Sequence, residues 1–97
     1  MTILDCIKAT AKAFGITVRE LRWGGRAHFQ SHPRQAAMLL ARWEGFAFER
    51  IGRALGNRDH STIVHGCRAA EKRFDADEEY GDLLQTAWLN LKARPGR

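Results

Sequence analysis

The fold is decided by the stretch from Ile51 to Phe74, IGRALGNRDHSTIVHGCRAAEKRF, which is typical of two short helices joined by a tight turn. The first helix reaches Gly56, and glycine is the residue that most readily adopts the left-handed conformation at a helix end. Asp59 can then accept from the free backbone N–H groups of a new first turn. We therefore expect Asp59 to be the N-cap of a second helix that begins near His60.

The second helix has two faces of different chemistry. Its apolar residues recur at helical spacing and predict a buried stripe of Ile63, Cys67, Ala70 and Phe74. The opposite face combines a hydroxyl, an imidazole and two cations, from Ser61, His65, Arg68 and Lys72. Such side chains bind base edges and phosphates in a DNA major groove, so this face is our candidate for DNA contact.

The identities of the residues in this stretch indicate a protein family more specifically than their spacing does. The string IGRALGNRDHSTIVHGCR closely resembles the signature of the C-terminal DNA-binding domain of the bacterial replication initiator DnaA, where a glycine-rich turn precedes Arg-Asp-His-Thr-Thr-Val and His-Ala-Cys-Arg. Upstream, HPRQAAMLLAR resembles that family's Arg-Pro-Arg-Gln helix. The resemblance extends from about Ile3 to Leu91. It implies an all-α fold, a small helical bundle containing a helix-turn-helix at about residues 48–74, like DnaA domain IV and Trp repressor.

The resemblance also implies which residues contact double-stranded DNA. The positions that match the family's major-groove residues are Asp59, His60, Ser61 and Thr62. Arg26 falls at the position of the family's minor-groove arginine, in a loop that follows two glycines. The candidates for phosphate contact are Arg34, Arg58 and His65. Each assignment has a structural alternative: Asp59 could serve only as a cap, His60 as a surface residue and Arg26 as a solvated loop cation.

Three departures from the family pattern affect this assignment. Ser61 lacks the methyl group with which threonine can pack against a thymine methyl, which changes what that position can read. The link before the first helix of the helix-turn-helix is one residue shorter than usual. Ala47 stands where the family commonly has a capping serine.

Length and charge agree with a small DNA-binding protein. The 97 residues are enough for a single domain, 1–97, with a modest helical core. Sixteen basic and eleven acidic residues give a net charge of +5, and eleven of the cations lie between Arg19 and Arg73. A basic central segment favours a polyanionic partner. No apolar run reaches membrane-spanning length, and Cys6 and Cys67 fit buried thiols, so we expect a cytoplasmic, nucleoid-associated protein.

Capping signals predict the helices before the helix-turn-helix. Thr2 and Thr17 each precede an acidic residue by three positions, which predicts two capping boxes, the first for a helix through about Phe14. Trp23 is expected to pack at the end of the second helix. Ser31 is expected to cap the third helix, with Pro33 in its first turn. The third helix should be the buried centre, with Ala36, Ala37, Leu39, Leu40 and Trp43 inside.

The last helix is predicted after an acidic run at residues 75–79, because carboxylates favour a first helical turn. Its core side would consist of Tyr80, Leu83, Leu84, Ala87, Trp88 and Leu91. The acidic C-terminal part could instead present a surface, with Trp88 and Leu91 as exposed anchors, to RNA polymerase or another regulator.

The sequence predicts no enzyme, cofactor or metal site. It contains no G-x-x-x-x-G-K-[ST] phosphate loop, so we expect no nucleotide binding. His28 and His32 are four residues apart but fall in an expected loop, and His65 and Cys67 would point in different directions from a helix. The favoured function is a small transcription regulator without ATPase activity. The alternatives are a replication-linked DnaA-box binder or competitor, an excised initiator domain and a protein-interaction module.

Overall fold

The computed structural model describes residues 1–25 and 27–93. Within these ranges the chain forms six helices and no strand. The helices are α1 (Ile3–Phe14), α2 (Val18–Trp23), α3 (His28–Trp43), α4 (Phe48–Ala54), α5 (His60–Ala76) and α6 (Glu78–Lys92). The predicted all-α bundle is confirmed, and α4 with α5 forms the helix-turn-helix.

Helix α3 is the centre of the bundle, because it packs against each of the other five helices. Its buried apolar residues are Ala36, Ala37, Met38, Leu39, Leu40 and Ala41, which cover nearly all sides of the helix. The most extensive contacts between helices are those of α1 with α6 and of α3 with α5. Helix α5 therefore packs directly against the central helix of the fold.

The predicted capping devices hold the helix starts in place. Thr2 and Asp5 form a complete capping box at α1, and Thr17 with Glu20 forms the second at α2. These bonds to Thr17 lower the pKa of the Glu20 carboxyl. Asp77 ends α5 and also caps α6, where its carboxylate accepts from the Tyr80 N–H at 3.1 Å. The turn from α5 into α6 is consequently a single residue.

The prediction for the start of α3 was wrong. The helix begins at His28 with Ala27 as N-cap, one turn before the expected Ser31, so Pro33 lies inside the helix. The Ala27 carbonyl accepts from the N–H groups of Gln30 and Ser31 at 2.9 and 2.8 Å, so the chain is already helical before Ser31.

Three tryptophans lie further out than expected. Trp88 was expected in the core but is 38% exposed, because the buried stripe of α6 is narrower and consists of Tyr80, Leu84, Ala87 and Leu91. Trp43 is 44% exposed at the end of α3. Trp23 is 58% exposed, although it does lie at the end of α2 as predicted.

The turn between α4 and α5 is closed by the backbone. Gly56 and Asn57 are left-handed, with φ of 80° and 57°, and the Arg58 N–H donates to the Gly52 carbonyl at 2.8 Å. Gly52 also lies so close to the returning chain that an added Cβ would overlap the carbonyl oxygen of Arg58. The direction in which α5 leaves the turn therefore depends on a glycine inside α4.

Candidate nucleic-acid interface

The N-terminal end of α5 presents the four residues that the sequence assigned to base contacts. Asp59, His60, Ser61 and Thr62 are all exposed. The Asp59 carboxylate accepts from the Ser61 N–H at 3.1 Å and from the Ser61 hydroxyl. Hydrogen bonds from the Ser61 side chain and backbone lower the pKa of the Asp59 carboxyl, so it is an anion at neutral pH. The cap thus fixes an acceptor at the tip of the recognition helix.

His60 is the first residue of α5 and has one aromatic neighbour. Its ring centroid lies 6.2 Å from that of Phe48, at the start of α4. The side chain neither caps the helix nor belongs to the buried stripe. It is therefore free to turn outward toward a base while remaining near the first helix.

A row of exposed side chains continues along the same helix. Ser61, His65, Arg68 and Lys72 are separated by four, three and four residues, so they lie along one face. The opposite face is buried by Ile63, Cys67 and Ala70, with Phe74 half-buried, as predicted. The side chains of His65, Arg68 and Lys72 are therefore exposed along α5, on the C-terminal side of the four exposed residues at its N-terminal end.

The side chain of Arg34 is buried, unlike that of a surface residue that binds phosphate. It is only 5% exposed, and its guanidinium donates to the carbonyls of Leu21, Gly24 and Gly25 at 2.9, 2.6 and 2.9 Å. Burial lowers the pKa of this guanidinium, with a smaller contribution from Arg58. These contacts make Arg34 a positioning residue for the loop after α2, while its direct contact with phosphate stays a prediction.

Arg26, the candidate for the minor groove, is not among the described residues. The two glycines before it are held by Arg34, and the Gly25 N–H also donates to the Gln30 side chain at 3.1 Å. The chain is thus fixed by α3 up to the residue before Arg26.

Arg58 connects the turn with α2. It is half-buried, and its Nη2 donates to the Arg22 carbonyl at 3.3 Å. Burial lowers its pKa, and its Nε is buried without a hydrogen-bond partner among the described residues. Arg22 in turn donates to the Ala54 carbonyl of α4 at 2.9 Å. Arg58 therefore has a structural role beside its predicted phosphate contact.

Sequence reasoning missed the glycines that allow close packing around the interface. Gly52 sets the turn, and Gly66 lets α5 approach α3, where an added Cβ would overlap the sulfur of Met38. Each glycine lies alone inside a helical pattern, where glycine is unfavourable. This position is the sequence signal that could have indicated close packing against another part of the chain.

The histidines near the start of α3 have a different setting from the one expected. His28 and His32 were expected in a loop, but both lie on α3 with their rings stacked at a centroid distance of 4.4 Å. Among residues 1–25 and 27–93 there is no group of three or more His, Cys, Asp or Glu side chains that could hold a metal ion. No helix in these ranges is long and apolar enough to cross a membrane.

This arrangement defines a class of protein. A short helix and a turn direct a second, amphipathic helix whose polar and basic face is open to solvent, which is the geometry of a helix-turn-helix DNA-binding domain.

Comparison with known proteins identifies the family. A family model described as the bacterial dnaA protein helix-turn-helix matches residues 3–69. The chain is 30% identical over 90 residues to a chromosomal replication initiator protein DnaA of Lachnoclostridium phytofermentans, covering 92% of this chain and 20% of the relative. It is also 30% identical over 95 residues to a protein of the same name from Bacteroides thetaiotaomicron, covering 97% of this chain and 20% of that relative.

The chain therefore belongs to the helix-turn-helix family of the bacterial DnaA protein, a family of DNA-binding domains. It spans about a fifth of the length of these two relatives.

Proposed function

We propose that this protein binds double-stranded DNA sequence-specifically through α5 and acts as a small transcription regulator that has no ATPase activity of its own. The observation that carries the proposal is the exposed tip of α5, where the residues that match the family's Asp-His-Thr-Thr sequence are Asp59, His60, Ser61 and Thr62. Arg68 and Lys72 lie further along the exposed face and supply sequence-independent attraction to phosphates.

Regulation without ATP hydrolysis is supported by the sequence, which contains no phosphate-loop motif. A regulator of this kind acts by occupying a site or by contacting another protein. We place that contact at the acidic C-terminal part, with RNA polymerase or another regulator as the partner, in a cytoplasmic, nucleoid-associated setting. Isothermal calorimetry with ATP should give no saturable heat, and a saturable signal would contradict nucleotide-independent function.

A replication-linked function is the second candidate. It is favoured by the two relatives, both named chromosomal replication initiator protein DnaA. A domain that reads the same boxes could compete with a full initiator. The two functions predict different recovered sites, initiator boxes or promoter-proximal sequences, when genomic duplex fragments are selected by the protein.

The deciding experiment begins with selection of bound sequences from a random duplex pool. Asp59→Asn keeps an N-cap oxygen but alters the charge and hydrogen-bond pattern offered to a base, and His60→Ala removes an outward side chain. Each should weaken binding to the recovered sequence by roughly 1 to 3 kcal/mol and should affect random duplex much less, because base contacts carry the discrimination. Thermal melts should show little change for Asp59→Asn.

Arg68→Ala is the matched control for these variants. It removes a cation from the same exposed face, so it should weaken binding to all duplexes by similar factors. Equal losses on recovered and random duplex for Asp59→Asn and His60→Ala would contradict base reading. A large drop in melting temperature for either variant would support a purely structural role.

Two further measurements test the interface as a whole. With about six phosphate contacts, affinity should fall roughly a thousandfold between about 50 and 200 mM salt, and salt-independent binding would contradict the proposal. Arg26→Ala should weaken binding to the recovered site, since an arginine in this loop suits a narrow A·T-rich minor groove, while helical circular dichroism stays unchanged. Equal affinity of variant and parent on all duplexes would make Arg26 a solvated loop residue.

A further inference from the structure

An apolar groove lies where α3, α5 and α6 meet. The apolar groove is lined by Trp43, Phe74, Gln85, Trp88 and Leu89 and has a volume of about 370 Å³. Three of these side chains are well exposed, Trp43 at 44%, Trp88 at 38% and Leu89 at 58%. Contiguous exposed apolar side chains of this kind are candidates for an interaction surface.

The walls of the apolar groove are fixed by packing within the bundle. The Trp43 and Phe74 rings meet edge to face with their centroids 5.7 Å apart. The Lys92 ammonium lies 5.7 Å from the Trp88 ring centroid and is paired with Glu44 at 2.8 Å. The rings of Trp43 and Phe74 therefore pack against each other before a partner binds, which lowers the entropy cost of binding.

An acidic edge borders the apolar groove. Phe74 and Gln85 also line a neighbouring depression whose charged residues are all carboxylates, from Asp75, Glu78 and Asp82. This acidic edge contrasts with the net charge of +5 of the chain. An occupant that fits both surfaces combines apolar anchors with basic side chains at one end.

The apolar groove is remote from the tip of the recognition helix. Phe74 follows His60 by fourteen residues of the same helix. At a rise of about 1.5 Å per residue, the two positions are roughly 21 Å apart along α5. A bound segment in the apolar groove therefore leaves the four residues at the tip open to DNA.

We propose that the apolar groove and the acidic edge together bind a basic amphipathic helix of a partner protein, with apolar side chains seated between Trp43, Trp88 and Leu89 and with lysines or arginines at the acidic edge. This deepens the partner contact proposed above and does not depend on DNA binding. We choose a helix because apolar side chains at i, i+3, i+4 and i+7 with basic residues at one end present both kinds of contact from a single element. A second copy of this chain fits less well, since its main basic face is the one that binds DNA.

The test uses a fluorescein-labelled helical peptide of about 15 residues as the probe. The probe carries leucines at i, i+3, i+4 and i+7 and lysines at one end, and its matched control has glutamates in place of the lysines. Fluorescence anisotropy with the full chain should give a Kd on the order of micromolar for the basic probe, as is common for small transient interfaces. The acidic control should bind at least tenfold more weakly, and raising the salt should reduce this difference.

Two matched pairs of variants locate the binding. Leu89→Ser removes an exposed anchor of the groove, whereas Leu4→Ser removes a leucine of similar type, 41% exposed on α1. Glu78→Lys reverses a charge of the acidic edge, whereas Glu79→Lys makes the same change on the same first turn of α6 outside that edge. Leu89→Ser should weaken the affinity for the basic probe roughly tenfold or more, and Glu78→Lys should weaken it severalfold. Both control variants should bind the basic probe about as tightly as the parent does.

The outcomes are distinguishable from failure of DNA binding. Leu89→Ser should bind duplex DNA as the parent does, and His60→Ala should bind the peptide probe as the parent does. Equal binding of basic and acidic probes, or equal losses in the variant and its control, would overturn the proposal. Sedimentation that shows a dimer abolished by Leu89→Ser would also overturn it, by making a second copy the occupant.

Discussion

The substitution Gly52→Ala tests how the turn sets the direction of the recognition helix. An added Cβ at this position would overlap the backbone oxygen of Arg58, and the Gly52 carbonyl also accepts the bond that closes the turn. Because a backbone oxygen cannot swing aside as a side chain can, the chain between α4 and α5 has to shift. In an ordinary helix the same substitution stabilises by about 0.5 to 1 kcal/mol.

The magnitude follows from three contributions. Overpacking destabilises the folded state by about 1 to 3 kcal/mol, and a weaker hydrogen bond from Arg58 to Gly52 destabilises it by about 1 kcal/mol. The helix preference of alanine stabilises it by up to about 1 kcal/mol. We therefore expect the free energy of unfolding to decrease by about 1 to 3 kcal/mol, which lowers Tm by roughly 5 to 20 °C in a domain of this size. Specific DNA affinity should decrease as well, because α5 leaves the turn in a different direction.

Gly66→Ala is the matched control. Its Cβ would overlap the sulfur of Met38, which belongs to a flexible side chain that can adopt other rotamers. The gain in helix preference should largely offset that cost, so the free energy of unfolding should stay within about 1 kcal/mol of the parent. Thermal melts followed by circular dichroism measure both variants. An unchanged or higher Tm for Gly52→Ala would refute the close-approach argument, as would equal losses in the two variants.

Three further predictions concern other buried polar and ionisable groups. Arg34→Met should lower the free energy of unfolding, measured in denaturant titrations, by about 2 to 3 kcal/mol, because hydrogen bonds from a charged donor to three carbonyls are lost. Arg53→Met, at an exposed position of α4, should change it little. Burial raises the pKa of the Cys67 thiol to about 11, so alkylation at about pH 8 should be slow in the native protein and rapid in denaturant; rapid native labelling would contradict its burial. Burial, Arg73 and the stacked imidazole of His28 lower the pKa of His32 below its ordinary value. The unfolded chain therefore binds the proton more tightly, and stability should decrease as the pH falls from about 7 to 5.5. His32→Gln should reduce that pH dependence in thermal melts, and an equal reduction in His65→Gln would contradict the assignment.

Local sequence signals were sufficient for three helix starts, at which the physical cause lies within a few residues. The capping boxes at Thr2 and Thr17 and the cap at Asp59 act between residues two or three positions apart, and all three form. The buried stripe of α5 likewise follows from helical spacing alone. The tip of the recognition helix could therefore be located from the order of its residues, and the resemblance to the DnaA family could be matched to it.

Contacts between distant residues decided what the sequence could not. Arg34 was expected to contact phosphate, yet α2 and its following loop surround it with carbonyls thirteen, ten and nine residues earlier in the chain. The Tyr80 hydroxyl donates to the carbonyl of His32, which lies 48 residues earlier in the chain, and so joins α3 to α6. Trp88 has the helical spacing of a core residue, but the buried surface of α6 is too narrow to include it, so Trp88 lies at the edge of that surface.

The sequence by itself determined the order of the helices, the caps at Thr2, Thr17 and Asp59 and the exposed face of α5, because periodicity and capping are properties of neighbouring residues. Only the tertiary structure decided which charged and aromatic side chains remain at the surface. That outcome depends on how closely helices approach one another, as at Gly52 and Gly66, and the approach is set by atoms far apart in the chain. The apolar groove and its acidic edge exist for the same reason, since three separate helices have to meet before Trp43, Phe74 and Trp88 share one surface.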